Sequence, residues 1–427
     1  MQSTPLPSAT EAQVRAIGTA DLVVGIPSYN NASTIGHVAR AAGAGLAKYF
    51  PGAKAVIVNS DGGSTDGTPQ AVLEAELPDL RTVLVNHAAG TAARISTPYH
   101  GIPGKGSAFR AIFQIADLLH ARACAVVDSD LRSITPAWFE LLLRPIVDGD
   151  FDYVAPLYQR HKFDGTITNG IVYPLTRALY GRRIRQPIGG DFGFSGELAR
   201  VYLAKPVWDT DVARFGIDIW MTTTAVAERF RICQAYLGAK IHDAKDPGAD
   251  LTAMMTQVVG SCFDLVETYA GVWPQVRGSE PVPLMGFPHA VGVDPVAVNL
   301  ERLLAIYAQG VRELREMWSQ VLPARLLAAL ADAVTKDPAL FHLSDPVWAE
   351  IIYRFALAHA RHEGNREHLL GSLIPLYMGR TASFVVEMQS AGPSEVEARM
   401  ESLALVFEEL KPLLVSEWPG KEKETAS

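Results

Sequence analysis

Ala123-Cys124-Ala125-Val126-Val127-Asp128-Ser129-Asp130 is the stretch that decides the fold. Its five small or β-branched apolar residues show no alternation, which suits a strand covered on both faces, as in a parallel sheet. Two carboxylates follow where that strand ends, and open α/β sheets bind their ligands at this edge. Aspartates one residue apart offer hard oxygen ligands to a divalent cation, one directly and one through water or a ribose hydroxyl. A solvated strand-end turn has the same local sequence, so the flanking chain must decide between the two readings.

Upstream, Leu22 to Ile26 is a β-type run stopped by Pro27, followed by the polar groups of Ser28-Tyr29-Asn30-Asn31. Asn31 or Ser33 caps a helix running to about Tyr49, and Ala55 to Val58 forms a second strand. The Gly- and Asp-rich turn Asn59 to Thr68 leads into a helix from Pro69 to Glu76, and Arg81 to Val85 reads as a third strand. This βαβαβ order predicts a doubly wound, mostly parallel sheet. No G-x-G-x-x-G follows the first strand, which disfavours a dinucleotide site. Asp61 stands where a carboxylate accepts from a ribose hydroxyl or a base N–H, unless its turn is only turn chemistry. Next, Gly104-Lys105-Gly106 precedes an amphipathic helix from Phe109 to Leu119. Glycines around one lysine let the backbone approach an anion while the ammonium acts on it as a point charge; a flexible surface lysine is the alternative. A Walker loop is excluded, because Ser107 stands where its lysine belongs.

Composition bounds the partners. With 427 residues, 48% hydrophobic and 20% charged, the chain is long enough for two domains, and its net charge of −8 argues against a nucleic-acid partner. Cys124, Cys233 and Cys262 lie far apart without CxxC spacing, so reduced core thiols are expected. No uninterrupted apolar run has the length of a membrane span, and Met1 to Thr10 lacks the pattern of a secretory signal. A cytoplasmic protein is the expectation.

Downstream, Asp152 to Leu157 reads as a strand, followed by a polar loop carrying Arg160, Thr166, Thr168 and Asn169. A guanidinium and two hydroxyls in one loop suit a small carboxylate, although a solvated basic loop has the same composition. Arg185 to Glu197 combines the close-approach glycines Gly189 and Gly190 with Asp191, and Asp218 falls in the first turn of a helix opening near Gly216. After a Pro- and Gly-rich connection from Trp273 to Pro295, apolar residues recur at helical spacing to about Leu414, predicting four to six helices. His359 and His362 mark a charged helix end there. Such a subdomain commonly serves packing or homodimerisation. The expected division is an arm over 1–20, an α/β domain over 21–285, a helical subdomain over 286–418 and a disordered tail over 419–427.

Taken in order, Pro27-Ser28-Tyr29-Asn30, Asp61, Gly104-Lys105-Gly106 and Asp128-Ser129-Asp130 resemble the donor half of the GT-A glycosyltransferases. Gln186-Pro187-Ile188-Gly189-Gly190-Asp191, the pair Arg160 and Thr168, and Gly216-Ile217-Asp218 narrow the likeness to the retaining mannosylglycerate, glucosylglycerate and glucosyl-3-phosphoglycerate synthases. Asp191 stands where those relatives carry Glu. The resemblance covers roughly residues 21 to 270. It implies a Rossmann-like GT-A donor domain with Pro27, Tyr29, Asn30, Asp61, Lys105, Gly106, Asp128 and Ser129 on a UDP-, GDP- or ADP-hexose. It implies Asp130 and His242 on Mg²⁺ or Mn²⁺, and Arg160, Thr166, Thr168, Asn169, Gly189 and Gly190 around D-glycerate or 3-phosphoglycerate. Lys105, Asp191 and Asp218 are the implied catalytic groups, one of the two aspartates acting as nucleophile or as a holder of sugar or acceptor. Glucosyl or mannosyl transfer to the 2-hydroxyl of D-glycerate, yielding a compatible solute, is the expected activity. A phosphorylated acceptor would need further cations such as His161, Lys162 and Arg182 to Arg185. A non-catalytic nucleotide-sugar-binding protein is the rival of another class.

Overall fold

The computed structural model describes residues 6–75, 92–99, 102–241, 252–289 and 291–419. The chain divides into two compact units that interleave in sequence. Met1–Arg160, Arg185–Asp243 and Val282–Asp294 make the first; His161–Ile184, Ala244–Pro281 and Pro295–Ser427 make the second. This differs from the contiguous break expected near 285. The expected strand over 81–85 and the tail over 420–427 lie outside the described residues.

The strands are β1 (Leu22–Ser28), β2 (Ala55–Asp61), β3 (Ala93–Pro98), β4 (Ala123–Val126), β5 (Tyr153–Gln159), β6 (Arg182–Arg183), β7 (Phe192–Ser195), β8 (Ile232–Ala239), β9 (Glu280–Pro281) and β10 (Leu284–Met285). Eight of them form the sheet of the first unit in the order β10-β8-β5-β7-β4-β1-β2-β3. The doubly wound, mostly parallel sheet is therefore present. Its third strand, β3, falls where the sequence reading assigned no element, only two of its six residues being buried.

Apolar residues on the two sides of β1 go to different layers. Leu22, Val24 and Ile26 share a core with Ile35, Val38 and Leu46 of the helix Ala32–Tyr49, and with Trp138, Phe139 and Leu142 of a helix over Pro136–Val147. On the opposite face Gly25 admits Ile112 of the helix Lys105–Leu118, where a β-carbon would stand 2.5 Å from the isoleucine. The N-terminal arm carries a helix, Ser8–Ile17, that buries Val14 and bonds Thr10 to Thr97 at 2.7 Å.

β7 is the one sheet strand that runs against its neighbours among the described residues. It pairs antiparallel with both β4 and β5. Phe192 lies opposite Val126, so the residue before β7 and the residues after β4 share one edge of the sheet. Without this reversal Asp191 and Asp128 would sit at opposite ends.

The second unit is helical apart from the short parallel pair β6 and β9. From Leu300 onward six α-helices are described, within the expected number. Among the described residues, polar contacts of Arg177, Gly170 and Ser279 tie the segments 161–184 and 252–281 into this unit. Arg177 is wholly buried and donates to Glu401, to Glu408 at 2.7 Å and to Ser279 at 2.9 Å, while the Trp348 indole donates to Gly170 O at 2.7 Å. The helix Arg366–Met388 is long and apolar enough to cross a membrane, which the sequence reading did not anticipate. However, 78% of its most apolar window is buried inside the protein, as befits a core helix. All three cysteines are buried and free, as expected.

Candidate functional site

Five charged side chains meet at the edge where the parallel strands end. Lys105, at the start of its helix, places Nζ 2.8 Å from Asp128 Oδ1 and 3.2 Å from Asp218 Oδ1. Lys240, just beyond β8, donates to Asp128 Oδ2, Asp191 Oδ2 and Gly189 O, each at 2.8 Å. The Asp128 amide donates to Asp191 Oδ1 at 2.8 Å, and the Tyr158 hydroxyl donates to Asp191 Oδ2. The β5–β8 pairing shifts register between Leu157 and Tyr158, the extra residue being Leu237 on β8, and Gln186 bonds both backbone groups of Tyr158 at 3.0 Å. Bulges of this kind re-aim a side chain at a site.

The charges hold one another. Burial works against the ammonium of Lys105, but Asp128 and Asp218 outweigh it and raise its pKa above the ordinary lysine value. Lys240 is raised in the same way, burial being overcome by Asp128 and Asp191. For Asp128 burial opposes ionisation and the two lysines prevail, holding its carboxyl far below the usual range. Asp218 goes the other way: burial, only partly countered by Lys105, pushes its pKa up.

Several expectations change on this geometry. Asp191 is fully buried and accepts three hydrogen bonds out of roughly four lone-pair sites, so it anchors the cluster and is a poor nucleophile. Gly104 and Gly106 do not open onto an anion. A β-carbon on Gly106 would stand 1.8 Å from Val212 O, and the Gly106 amide donates to Arg214 O at 3.1 Å, so these glycines seat the helix against the 212–214 backbone. Asp61 accepts from Ser28 Oγ, Ser64 Oγ and the amides of Gly63 and Ser64 at 2.6–3.0 Å, which fills its acceptor sites with its own turn. Asn30, in the left-handed region at φ 54°, also laces that turn, its amide on Ser64 Oγ and its Oδ1 on the Thr65 amide. Ser129 donates to Asn31 Oδ1 at 2.8 Å, and Pro27 is buried within β1. Tyr29 stays 63% exposed, an aromatic face at the strand-end edge.

For a divalent cation, both oxygens of Asp128 already lie on ammonium groups, and Asp130 is the other hard oxygen donor of the pair. It sits half-buried in the turn after β4, and a carboxylate there fits such an ion. His242 lies outside the described residues.

The expected acceptor residues divide between the units. Arg160, Gly189 and Gly190 fall in the first, with the Arg160 guanidinium 5.2 Å over the Tyr158 ring. Thr166, Thr168 and Asn169 fall in the second, where Thr166 Oγ1 bonds the Tyr377 hydroxyl at 2.5 Å beside a small cavity. Arg380 also lines that cavity but is spent on Leu343 O and Asp345. His359 bonds Glu267 at 2.7 Å, and Arg366 lies 3.2 Å from Asp264 and 2.8 Å from Glu267, so an arginine takes the place a metal would have among these groups.

Lys240 and Tyr158 escaped the sequence reading. The usable signal for Lys240 was its position as the first charged residue after an apolar strand, at the edge already marked by Asp128.

No protein-family model and no curated protein matches the sequence. Among solved structures the chain is similar to glucosyl-3-phosphoglycerate synthase from Mycobacterium tuberculosis in complex with Mn²⁺, UDP-glucose and phosphoglyceric acid. That likeness has 20% identity and a TM-score of 0.43 over 62% of this chain and 86% of that one. A second complex of that enzyme, with Mn²⁺, UDP and glucosyl-3-phosphoglycerate, aligns at 21% identity and TM-score 0.44 over 69% of this chain and 95% of that one. Mannosyl-3-phosphoglycerate synthase from Rubrobacter xylanophilus aligns at 19% identity and TM-score 0.44, covering 67% and 83%. Likenesses this low assign neither family nor substrate to the chain.

Proposed function

We propose that the chain is a metal-dependent, retaining hexosyltransferase that moves glucose or mannose from a nucleotide sugar to the 2-hydroxyl of D-glycerate. The observation that carries this reading is the cluster of Lys105, Asp128, Asp191, Asp218 and Lys240, with Asp130 two residues on, at the ligand-binding edge of the sheet. Cleaving a nucleotide-sugar bond builds negative charge on the diphosphate, and Lys105 is a cation at that edge which stabilises the transition state more than the ground state. A Mg²⁺ or Mn²⁺ ion held by Asp130 would add Lewis-acid neutralisation of the same charge. Tyr29 offers its exposed ring to the base. Asp218, its side chain 11% exposed, is the carboxylate placed to meet the sugar or the acceptor, since Asp191 is enclosed.

For the acceptor, Arg160 supplies a carboxylate-binding guanidinium. Three of the cations a phosphorylated acceptor would call on have other work. Lys162 donates to Gln389 O and Ala391 O, Arg182 pairs with Glu280 at 2.9 Å, and Arg183 donates to Ser279. Burial lowers the pKa of His161, which favours its neutral form. These engagements account for four of the five cations that stretch offers; Arg185, in the first unit with Arg160, is the fifth, and the acceptor series below decides between glycerate and 3-phosphoglycerate.

The test is product formation from UDP-, GDP- and ADP-glucose and GDP-mannose with each acceptor, in Mg²⁺ or Mn²⁺ and in EDTA. Asp130→Ala should abolish the metal-dependent product while leaving the melting temperature within a few degrees of wild type. No glycoside from any pair, in folded protein that binds nucleotide, would refute the transferase reading and favour a binding role.

A further inference from the structure

Two lysines hold the same carboxylate by opposite oxygens, and they differ in what else they can reach. Lys240 is 4% exposed, and its three N–H donors are all spent, on Asp128, Asp191 and Gly189 O. It has none left for a ligand. Lys105 is 18% exposed, with one short bond to Asp128 at 2.8 Å and longer contacts to Asp218 at 3.2–3.3 Å. Only Lys105 has both an outlet and weakly held donors.

When an anion arrives, Lys105 can exchange a carboxylate for it only if the carboxylate left behind keeps a counter-charge. A buried, unpaired carboxylate is costly. Lys240 meets that requirement, because its bond to Asp128 does not compete with the one that breaks. We propose that Lys240 is a positioning residue that keeps Asp128 and Asp191 paired while Lys105 turns to the donor's diphosphate, an inference that rests on the glycosyltransferase reading. Without Lys240, Asp128 has Lys105 as its one ammonium partner and retains it, so diphosphate affinity falls although Lys240 never touches the ligand.

The experiment measures Mn²⁺-supported binding of UDP, GDP and ADP by calorimetry, well below the melting temperature, for wild type, Lys240→Met and Lys240→Met/Asp191→Asn. The double variant restores the charge balance if the single variant fails to fold. The best-bound diphosphate should weaken by about tenfold or more in both, the scale of one charge-assisted hydrogen bond. The donor KM should rise by a similar factor, with a smaller change in kcat. A double variant that folds and binds as tightly as wild type would make Lys240 a structural counter-ion and overturn the inference alone. Wild-type protein that binds none of the three would overturn the transferase reading and this inference with it.

Discussion

Replacing Gly190 by alanine tests the cluster with one methyl group. Gly190 has φ +89°, and a β-carbon there would stand 2.2 Å from Asp128 Oδ2 and 3.0 Å from Lys240 Nζ. A non-glycine residue in that backbone region costs about 1–2 kcal/mol. Carbon and oxygen sit about 3.3 Å apart in ordinary contact, so Oδ2 must retreat by roughly 1 Å. That retreat breaks its 2.8 Å bond to Lys240, and a hydrogen bond between charged groups is worth about 1.5–3 kcal/mol. The two costs together come to roughly 2.5–5 kcal/mol, which for a unit of this size lowers Tm by on the order of 10 °C. The assay is thermal unfolding by calorimetry at pH 7, followed for the transition that includes the sheet. A Gly190→Ala protein melting within about 2 °C of wild type would refute the packing described for this edge.

Two further expectations concern the helical unit. Arg177→Met leaves Glu408 and Glu401 without their buried partner and should cost about 3 kcal/mol, toward the lower end for breaking a buried pair because Glu401 is part exposed; urea unfolding measures it. Lys411 is buried and donates to Ala178 O and Val276 O at 2.9 Å, and burial lowers its pKa to about 8. Its unfolded-state pKa is higher, so between pH 8 and about 10.4 the unfolded chain binds more protons and this group's contribution to stability rises with pH, by up to about 3 kcal/mol. The stability of wild type relative to Lys411→Met should therefore climb from pH 7.5 to 10, and a flat difference would refute the assignment.

The parallel strands were legible because Ala123 to Val127 and Leu22 to Ile26 are apolar runs that only a covered sheet accommodates. Their end groups were legible for the same reason, since a strand end fixes where Asp128 and Ser28 must lie. β3 was not legible, being an edge strand whose side chains are mostly not buried. Partnership was the other blind spot. The sequence shows Asp61 and Asp191 as available carboxylates, but hydrogen-bond saturation is a property of assembled neighbours. Gly106 is the same case: a glycine beside a lysine suits an anion or a neighbouring backbone equally, and only packing on Val212 decides.

The antiparallel course of β7 carries a consequence for how the chain folds. Three of the cluster's contacts join residues 63, 112 and 113 positions apart, none of them within one local hairpin or helix pair. Closing such loops costs entropy that only the finished sheet repays, and contacts this distant in sequence form slowly. A nascent chain must emerge beyond Lys240 before Asp128 and Asp191 gain that lysine as a partner. The charged edge is thus complete only once β8 and Lys240 have joined the sheet.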